Sequence, residues 1–406
     1  MEQQTVLVVG GGQAAAQTVA SLRVEGFPGN IVLVGSEPVL PYQRPPLSKA
    51  YLAGQLANER LLLRPQAFYE QQRVETHLGV SVTGVRISER KAKLSDGRVL
   101  AFDHLVFATG GRPRRLNCPG GDHPGLYYFR DMADVQAIQP RLKAGARLVL
   151  IGGGYIGLEI AAVASKLGLK VTVLEAMPSL LARVTCVDVA TFYRREHERH
   201  GVDIRCGMTV SGIGSSEENP QVMTQEGGVV DADLVIVGIG LLPNVELAEQ
   251  SGLSCNNGIV VDDHCRASIG GVYAAGDCTQ HPSAVYDAIL RLESVPNAIE
   301  QGKTVAATIC GKSKPYRAVP WFWSDQYDIK LQTAGLNRGY DQVVMRGKPD
   351  ARSFAAFYLR EGRLLAVDAI NRPVEFTLSK TWIAERLHIP AERLADESIP
   401  PQSLPA

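Results

Sequence analysis

The stretch Arg147-Leu-Val-Leu-Ile-Gly-Gly-Gly-Tyr-Ile-Gly-Leu-Glu159 decides the fold. Leu148 to Ile151 is an apolar run, and it stops on Gly152-x-Gly154-x-x-Gly157. A helical pattern follows through Ala161, Ala162, Ala164 and Leu167, and a second apolar run, Val171-Thr-Val-Leu174, ends on Glu175. The order is strand, glycine turn, helix, strand, acid, and that context makes a glycine pattern a dinucleotide-binding fingerprint. Gly152 permits the tight turn, Gly154 lets backbone approach a pyrophosphate, and Gly157 lets helix and strand pack closely. Tyr155 and Ile156 sit between the last two glycines, on the first turn of a helix whose N-terminus faces the phosphates. Glu175 stands 18 residues past Gly157, where a carboxylate accepts from a ribose 2′-hydroxyl and repels a 2′-phosphate. The spacing therefore predicts NADH rather than NADPH.

The same device opens the chain. Thr5-Val-Leu-Val-Val9 is an apolar strand, followed by Gly10-Gly-Gly12-Gln-Ala14-Ala15, in which Ala15 takes the third glycine's place. A helix is predicted to about Arg23, then the strand Ile31-Val-Leu-Val34, with Ser36 and Glu37 just past its end. Two fingerprints in one polypeptide point to electron transfer between two dinucleotides, FAD and a nicotinamide. A duplicated domain binding one ligand twice fits less well, because the segments after the two fingerprints differ.

Composition bounds the rest. A chain of 406 residues is too long for one core and predicts two or three domains. Lysine plus arginine number 42 and so do the acids, so the formal charge is zero and no basic stripe for nucleic acid is present. No apolar run approaches the ~20 residues that span a bilayer. The N-terminus runs straight into a strand, so no leader segment is expected and the protein is placed in the cytoplasm. The seven cysteines form no closely spaced pair. Structural disulfides, zinc and Fe–S ligation are not expected.

Several stretches between and after the fingerprints end on small residues. Pro41-Tyr-Gln-Arg44-Pro-Pro-Leu-Ser48-Lys49 is fixed in an extended form by its prolines. Ser48 is expected to cap a short helix after it, and Lys49, from this stretch alone, reads as a surface lysine. Val74 to Val82 reads as a strand region, and Lys91 to Phe102 alternates around Asp96-Gly97 as a hairpin. Three strands end on small-residue turns: Asp103 to Ala108-Thr109-Gly110, Asp231 to Gly238-Ile239-Gly240, and Gly271 to Gly276-Asp277. Asp277 suits a hydrogen bond to a polyol or the capping of the next turn. Glu293-Ser294-Val295-Pro-Asn297 opens a helix, with Ser294 as N-cap. Arg183, after the second fingerprint's acidic strand end, reads as a contact to cofactor phosphate or ribose, or as a solvated arginine. From Pro320 the composition changes: Pro-Trp321-Phe-Trp323-Ser-Asp-Gln326 precedes runs at Ile329 to Thr333, Gln342 to Met345, Phe354 to Leu359 and Leu364 to Val367. These predict an antiparallel sheet, with helices from about Pro373 and a loose tail from Pro400. The fold class is α/β: an FAD-binding Rossmann-like domain in two pieces, 1–112 and 242–319, an NAD-binding one at 113–241, and a C-terminal α+β domain at 320–406.

Taken together, these motifs resemble the FAD-dependent pyridine nucleotide reductases of the glutathione reductase structural class, and within it the putidaredoxin reductase-like bacterial NADH:ferredoxin reductases. The resemblance covers essentially the whole chain. It implies FAD contacts at Ala14, Ser36, Glu37, Arg44, Lys49, Val82, Arg130, Asp277 and Val295. It makes Lys49 and Glu159 an ion pair beside flavin N5, where hydride arrives, and it sets Trp321 and Trp323 near the flavin and the ferredoxin-docking face. The implied reaction carries electrons from NADH through FAD, one at a time, to a [2Fe–2S] ferredoxin that serves a monooxygenase or ring-hydroxylating dioxygenase. Ferredoxins are acidic, so the dock should be basic, with Arg64, Lys303, Lys330 and Arg338 as candidates. Disulfide, peroxide and coenzyme-A-disulfide reductases need cysteine beside the flavin, and Pro41 to Lys49 holds none. A rubredoxin reductase differs only in its acceptor. Apoptosis-inducing-factor-like flavoproteins, which also act through interactions, share the fold.

Overall fold

The computed structural model describes residues 4–214 and 219–405. They pack as two compact units: residues 4–43, 58–112 and 242–320 form the first, and residues 44–57, 113–241 and 321–405 the second.

The first unit is built on a five-stranded parallel sheet in the order Val272–Ala274, His104–Phe107, Thr5–Val9, Asn30–Gly35, Val74–Leu78. Its central strand is buried on both faces, as parallel strands between layers must be. Val6 and Val8 join Ala15, Val19 and Val305 in one core, while Leu7 and Val9 join Ala92, Leu94 and Phe102 in another. Helices Gln13–Val24 and Val295–Ile309 pack against each other. A Cβ on Gly302 would lie 3.1 Å from the Ala14 carbonyl oxygen, so a glycine lets the two helices approach. The hairpin expected around Asp96-Gly97 forms as Lys91–Leu94 and Val99–Ala101, paired antiparallel with Val82–Arg86.

The second unit repeats the plan. Its parallel sheet runs Asp203–Cys206, Lys170–Glu175, Arg147–Ile151, Leu234–Val237, Leu126–Tyr128, again with the fingerprint strand in the centre. An antiparallel sheet follows, ordered Trp321–Gln326, Ile329–Gly335, Arg363–Ile370, Ser353–Arg360, Gln342–Lys348, with helix Pro373–Ala384 packed on it. The aromatic run at 321 is thus itself a strand. The tail is not loose as far as residue 405. Leu404 is fully buried, and Arg393 donates to the Ser403 and Leu404 carbonyls at 2.6 and 3.1 Å. Buried Arg346 donates to the carbonyls of Leu394, Asp396 and Ile399, which fastens the chain leading into it. Among the described residues no helix is long and apolar enough to cross a membrane.

Candidate functional site: two nucleotide cradles and a buried ion pair

In the first unit the strand Thr5–Val9 ends on Gly10, whose φ is +130°. A Cβ there would stand 2.1 Å from the Ala108 carbonyl oxygen, so only glycine allows the two strand ends to meet. Gly12 is the N-cap of helix Gln13–Val24, extended at φ −98°, with no side-chain cap and no acid in the first turn. A Cβ on Gly12 would meet nothing within 4 Å. The helix start therefore offers unpaired N–H donors, positive dipole and open space, which fits a pyrophosphate. Ala14 and Ala15 are buried, and a Cβ on Gly276 would come within 3.0 Å of the Ala14 Cβ, so the Gly276-Asp277 turn lies against the same helix start. Gln301, fully buried, accepts from the Gly276 N–H at 2.7 Å and from the Thr279 hydroxyl at 3.0 Å. Asp277 is half-buried.

The other expected residues of this unit fall as follows. Glu37 accepts from the Tyr42 hydroxyl at 2.5 Å, and Ser36 beside it is exposed. Thr109, half-buried like Gly110, donates to the Asn244 carbonyl at 2.7 Å. Val82 begins a strand of the small antiparallel sheet. Ser294 is the N-cap of Val295–Ile309 and accepts from the Asn297 N–H at 3.3 Å. Glu293 is exposed and pairs with Arg291 at 2.5 Å.

In the second unit the same geometry recurs. Gly152 has φ +110°, and a Cβ there would lie 2.4 Å from the Gly238 carbonyl oxygen. Gly154 is the extended, uncapped N-cap of helix Tyr155–Lys166, open to 4 Å, and a Cβ on Gly157 would strike the Gly152 carbonyl oxygen at 2.5 Å. Glu175 ends its strand with both oxygens engaged: Oε2 accepts from the Gly153 N–H at 2.6 Å and Oε1 from the Met177 N–H at 2.8 Å. It closes the glycine turn. Ile156 and Arg183 are exposed, Ile239 is half-buried, and Gly240 takes φ +115°. Tyr155 packs on Phe322 with ring centroids 4.7 Å apart, and burial raises its hydroxyl pKa.

Lys49 and Glu159 meet. Lys49 Nζ lies 2.6 Å from Glu159 Oε2, with Glu159 only 4% exposed. Ser48 does not cap a following helix. It ends the short 3-10 turn Pro45–Ser48, and its hydroxyl donates to the same Oε2 at 2.5 Å, because a buried carboxylate is the stronger acceptor. Losing either charge would leave the other buried alone, at about 3–5 kcal/mol. Arg44 donates to the Arg130 carbonyl at 3.0 Å, which brings those two together.

Strand alternation sorts the aromatic motif. Trp321 and Trp323 share one face, half-buried, with centroids 5.6 Å apart, and Trp321 also meets Phe376 and Lys380. Phe322, Ser324 and Gln326 take the other face. Ser324 donates to Glu159 Oε1 at 2.6 Å. Sequence reading passed over Ser324 and Gln326, although period-two alternation alone sets them opposite the tryptophans. It also passed over Asp368, fully buried, which accepts from Thr185, Tyr358 and Thr333 at 2.6, 2.5 and 2.7 Å. Burial pushes the Asp368 carboxyl pKa up and the three hydroxyls oppose it. No spacing rule links those four residues.

Residues 4–302 match the pyridine nucleotide-disulphide oxidoreductase family and residues 321–404 the reductase C-terminal family. Putidaredoxin reductase CamA of Pseudomonas putida is 46% identical over 401 residues, covering 97% of this chain and 95% of the relative. A ferredoxin--NAD(P)(+) reductase, fdr, of Sphingomonas sp is 44% identical over 381 residues, 93% of this chain and 92% of the relative. The crystal structure of the covalent putidaredoxin reductase–putidaredoxin complex superposes with a TM-score of 0.96 at 45% identity, covering 99% of this chain and 98% of that one. With two glycine turns built alike and a match along nearly its whole length, the chain belongs to the pyridine nucleotide-disulphide oxidoreductase family, as an oxidoreductase with FAD and NAD(H) as cofactors.

Proposed function

We propose that the protein is an NADH-dependent ferredoxin reductase, delivering electrons singly to a [2Fe–2S] ferredoxin that serves a monooxygenase or a ring-hydroxylating dioxygenase. The observation that carries the proposal is the continuous likeness to a putidaredoxin reductase, C-terminal domain included. When bound, FAD supplies the chemistry, since a flavin takes electrons in pairs and gives them up one by one.

The chain's own residues have separable tasks in this reading. Gly10, Gly12 and the start of helix Gln13–Val24 hold the FAD pyrophosphate, Glu37 its ribose, and Gly276-Asp277 its polyol. Ala108, Thr109, Gly110, Val82 and Ser36 line the same cradle. Ser294 fixes the start of helix Val295–Ile309, whose positive end favours negative charge on the isoalloxazine. Gly152, Gly154 and Gly157 hold the NADH pyrophosphate, with Gly238, Ile239 and Gly240 facing them, and Glu175 selects the free 2′-hydroxyl. Lys49 presents a fixed positive charge to the hydride-accepting position, and Glu159 keeps that ammonium in place. Arg44, Arg130, Trp321 and Trp323 are assigned to the flavin by resemblance alone. We keep 1–112 with 242–319, 113–241 and 320–406 as the functional division. The cytoplasm is the proposed compartment, in keeping with cysteines that are all free thiols.

The proposed ferredoxin dock is basic. Arg64, Lys303, Lys330 and Arg338 are all exposed, two in each unit, and Lys303 pairs with Glu300 at 2.7 Å. The test is steady-state NADH oxidation with a [2Fe–2S] ferredoxin beside a rubredoxin. Fast turnover with the ferredoxin is expected. Turnover with rubredoxin alone would move the protein to the rubredoxin reductases, and turnover with neither would leave an interaction flavoprotein.

A further inference from the structure

Behind the Lys49–Glu159 pair runs a line of buried polar groups, all within the second unit. Its orientation can be worked out from the carboxylate outward. Glu159 as a carboxylate only accepts, so Ser324 spends its single proton on Oε1 at 2.6 Å. The Ser324 oxygen can then only accept, so the Gln326 amide turns its Nε2 towards it, at 3.2 Å. That leaves Gln326 Oε1 facing His197 Nε2 at 2.9 Å, so Nε2 carries the ring proton. Burial holds the His197 imidazole neutral, with its pKa lowered to about 4, so Nδ1 is bare and accepts from the Tyr327 hydroxyl at 3.0 Å. The line ends at Tyr327, whose oxygen lies 3.5 Å from the Ser165 hydroxyl on the helix that carries Glu159, and the Ser165 hydroxyl has the Ala162 carbonyl nearer, at 3.2 Å. Ser324 and His197 are fully buried and Gln326 is 1% exposed. Every donor in the line points towards Glu159. Hydrogen bonds aligned in one sense in a dry interior polarise one another.

We propose that Ser324, Gln326 and His197 are positioning residues that hold the Glu159 carboxylate by one oxygen, reserving the other for Lys49 and Ser48. The proposal rests on the reading of Lys49 and Glu159 as the reacting centre's ion pair. It gives Ser324 and Gln326 of the aromatic motif a task that the tryptophans on the opposite face do not share. Without the Ser324 donor the carboxylate can rotate, and the ammonium it anchors loses its fixed place. Among the described residues Lys49 and Tyr193 interact with Glu159, and His200 and Tyr327 with His197. Gln326→Glu is the sharpest probe, because it keeps the shape but replaces a donor with a rival acceptor for the Ser324 proton.

Two measurements test this on the FAD-loaded protein. The first is the nitrogen-15 histidine spectrum of the wild type, with His197 assigned by loss of its signal in His197→Gln. A neutral Nε2–H tautomer, unchanged from pH 8 to pH 5.5, is expected. An Nδ1–H tautomer, or titration in that range, would overturn the directional line whatever the variants do. The second is anaerobic stopped-flow reduction by NADH. Ser324→Ala and Gln326→Glu should each lower the limiting rate about tenfold while NADH affinity stays within about twofold. Ser324→Thr should recover to within about threefold of wild type. Wild-type rates in Ser324→Ala and Gln326→Glu, beside a slow Lys49→Ala, would overturn the inference and leave the ion-pair reading intact. A wild-type rate in Lys49→Ala would remove the reading and the inference together.

Discussion

His197 and His281 are buried, and burial lowers the pKa of each to about 4. An unfolded histidine titrates near 6.5, so as pH falls the unfolded chain binds these protons first. Their stabilising share is whole above about pH 6.5 and is lost as pH falls towards and through about 4. At pH 5 the loss is ~2 kcal/mol for each. Urea unfolding at pH 7 and pH 5 should therefore differ strongly in the wild type, and His197→Gln should shrink the difference by ~2 kcal/mol. An unchanged difference would mean that His197 is not held neutral. Glu175 belongs to the same scale. Glu175→Arg should shift the NADPH to NADH preference at least about tenfold towards NADPH, and unchanged selectivity would defeat the ribose assignment. The same change removes the acceptors of the Gly153 and Met177 N–H groups, so a loss of roughly 1–3 kcal/mol should accompany it. The place of Glu175 at a strand end was legible because the apolar run before it stops there. His197 was not, because its partners Gln326 and Tyr327 lie some 130 residues away and ordinary strand and helix patterns bring them together.

At the scale of the element, each fingerprint turn divides its glycines into two physical kinds. Gly10 and Gly152 have positive φ and no room for a Cβ, whereas Gly12 and Gly154 have extended backbone and open space. Gly10→Ala should therefore damage the fold itself, through a clash with the Ala108 carbonyl and strain of roughly 1–3 kcal/mol. The apoprotein melt should drop in that variant. Gly12→Ala should leave the apoprotein melt within about 1 kcal/mol of wild type, the cost of alanine at an N-cap, and should weaken FAD binding at least about tenfold. Equal effects of the two on the apoprotein would show that the Gly12 cradle is shaped by packing and not by a ligand. The glycine motifs were readable because such turns admit few sequences. The strand Trp321–Gln326 was less so: its aromatic content marked only a change of composition, while its alternation, which turns Ser324 towards Glu159, became meaningful only once the helix it faces was known. Ser48 misled for a similar reason, since a hydroxyl before a turn suits a cap until a buried carboxylate competes for its proton.

For the whole molecule, the sequence reading recovered two Rossmann-like sheets and an antiparallel sheet, because each is written in local periodicity. It could not foresee that residues 44–57, sequence neighbours of the first unit, pack in the second. That placement follows from the Lys49 and Ser48 contacts with Glu159, which are 110 and 111 residues distant in sequence. With 42 basic and 42 acidic side chains, the protein has no net monopole to draw an acidic ferredoxin from a distance. Any steering must come from a local patch of the kind proposed for Arg64, Lys303, Lys330 and Arg338. Local fields of this sort are screened over about 8–10 Å at moderate salt, and their loss appears mainly in the association rate. Raising salt from about 50 to 300 mM should lower kcat/KM for ferredoxin several-fold while kcat and KM for NADH hold steady. Arg338→Glu with Lys330→Glu should flatten that dependence if the second unit carries the dock, and Arg64→Glu with Lys303→Glu if the first does. Because Lys303 is already paired with Glu300, the second unit's pair is expected to have the larger effect. A salt dependence that none of these reversals alters would remove the four residues from the dock without touching the identity of the acceptor.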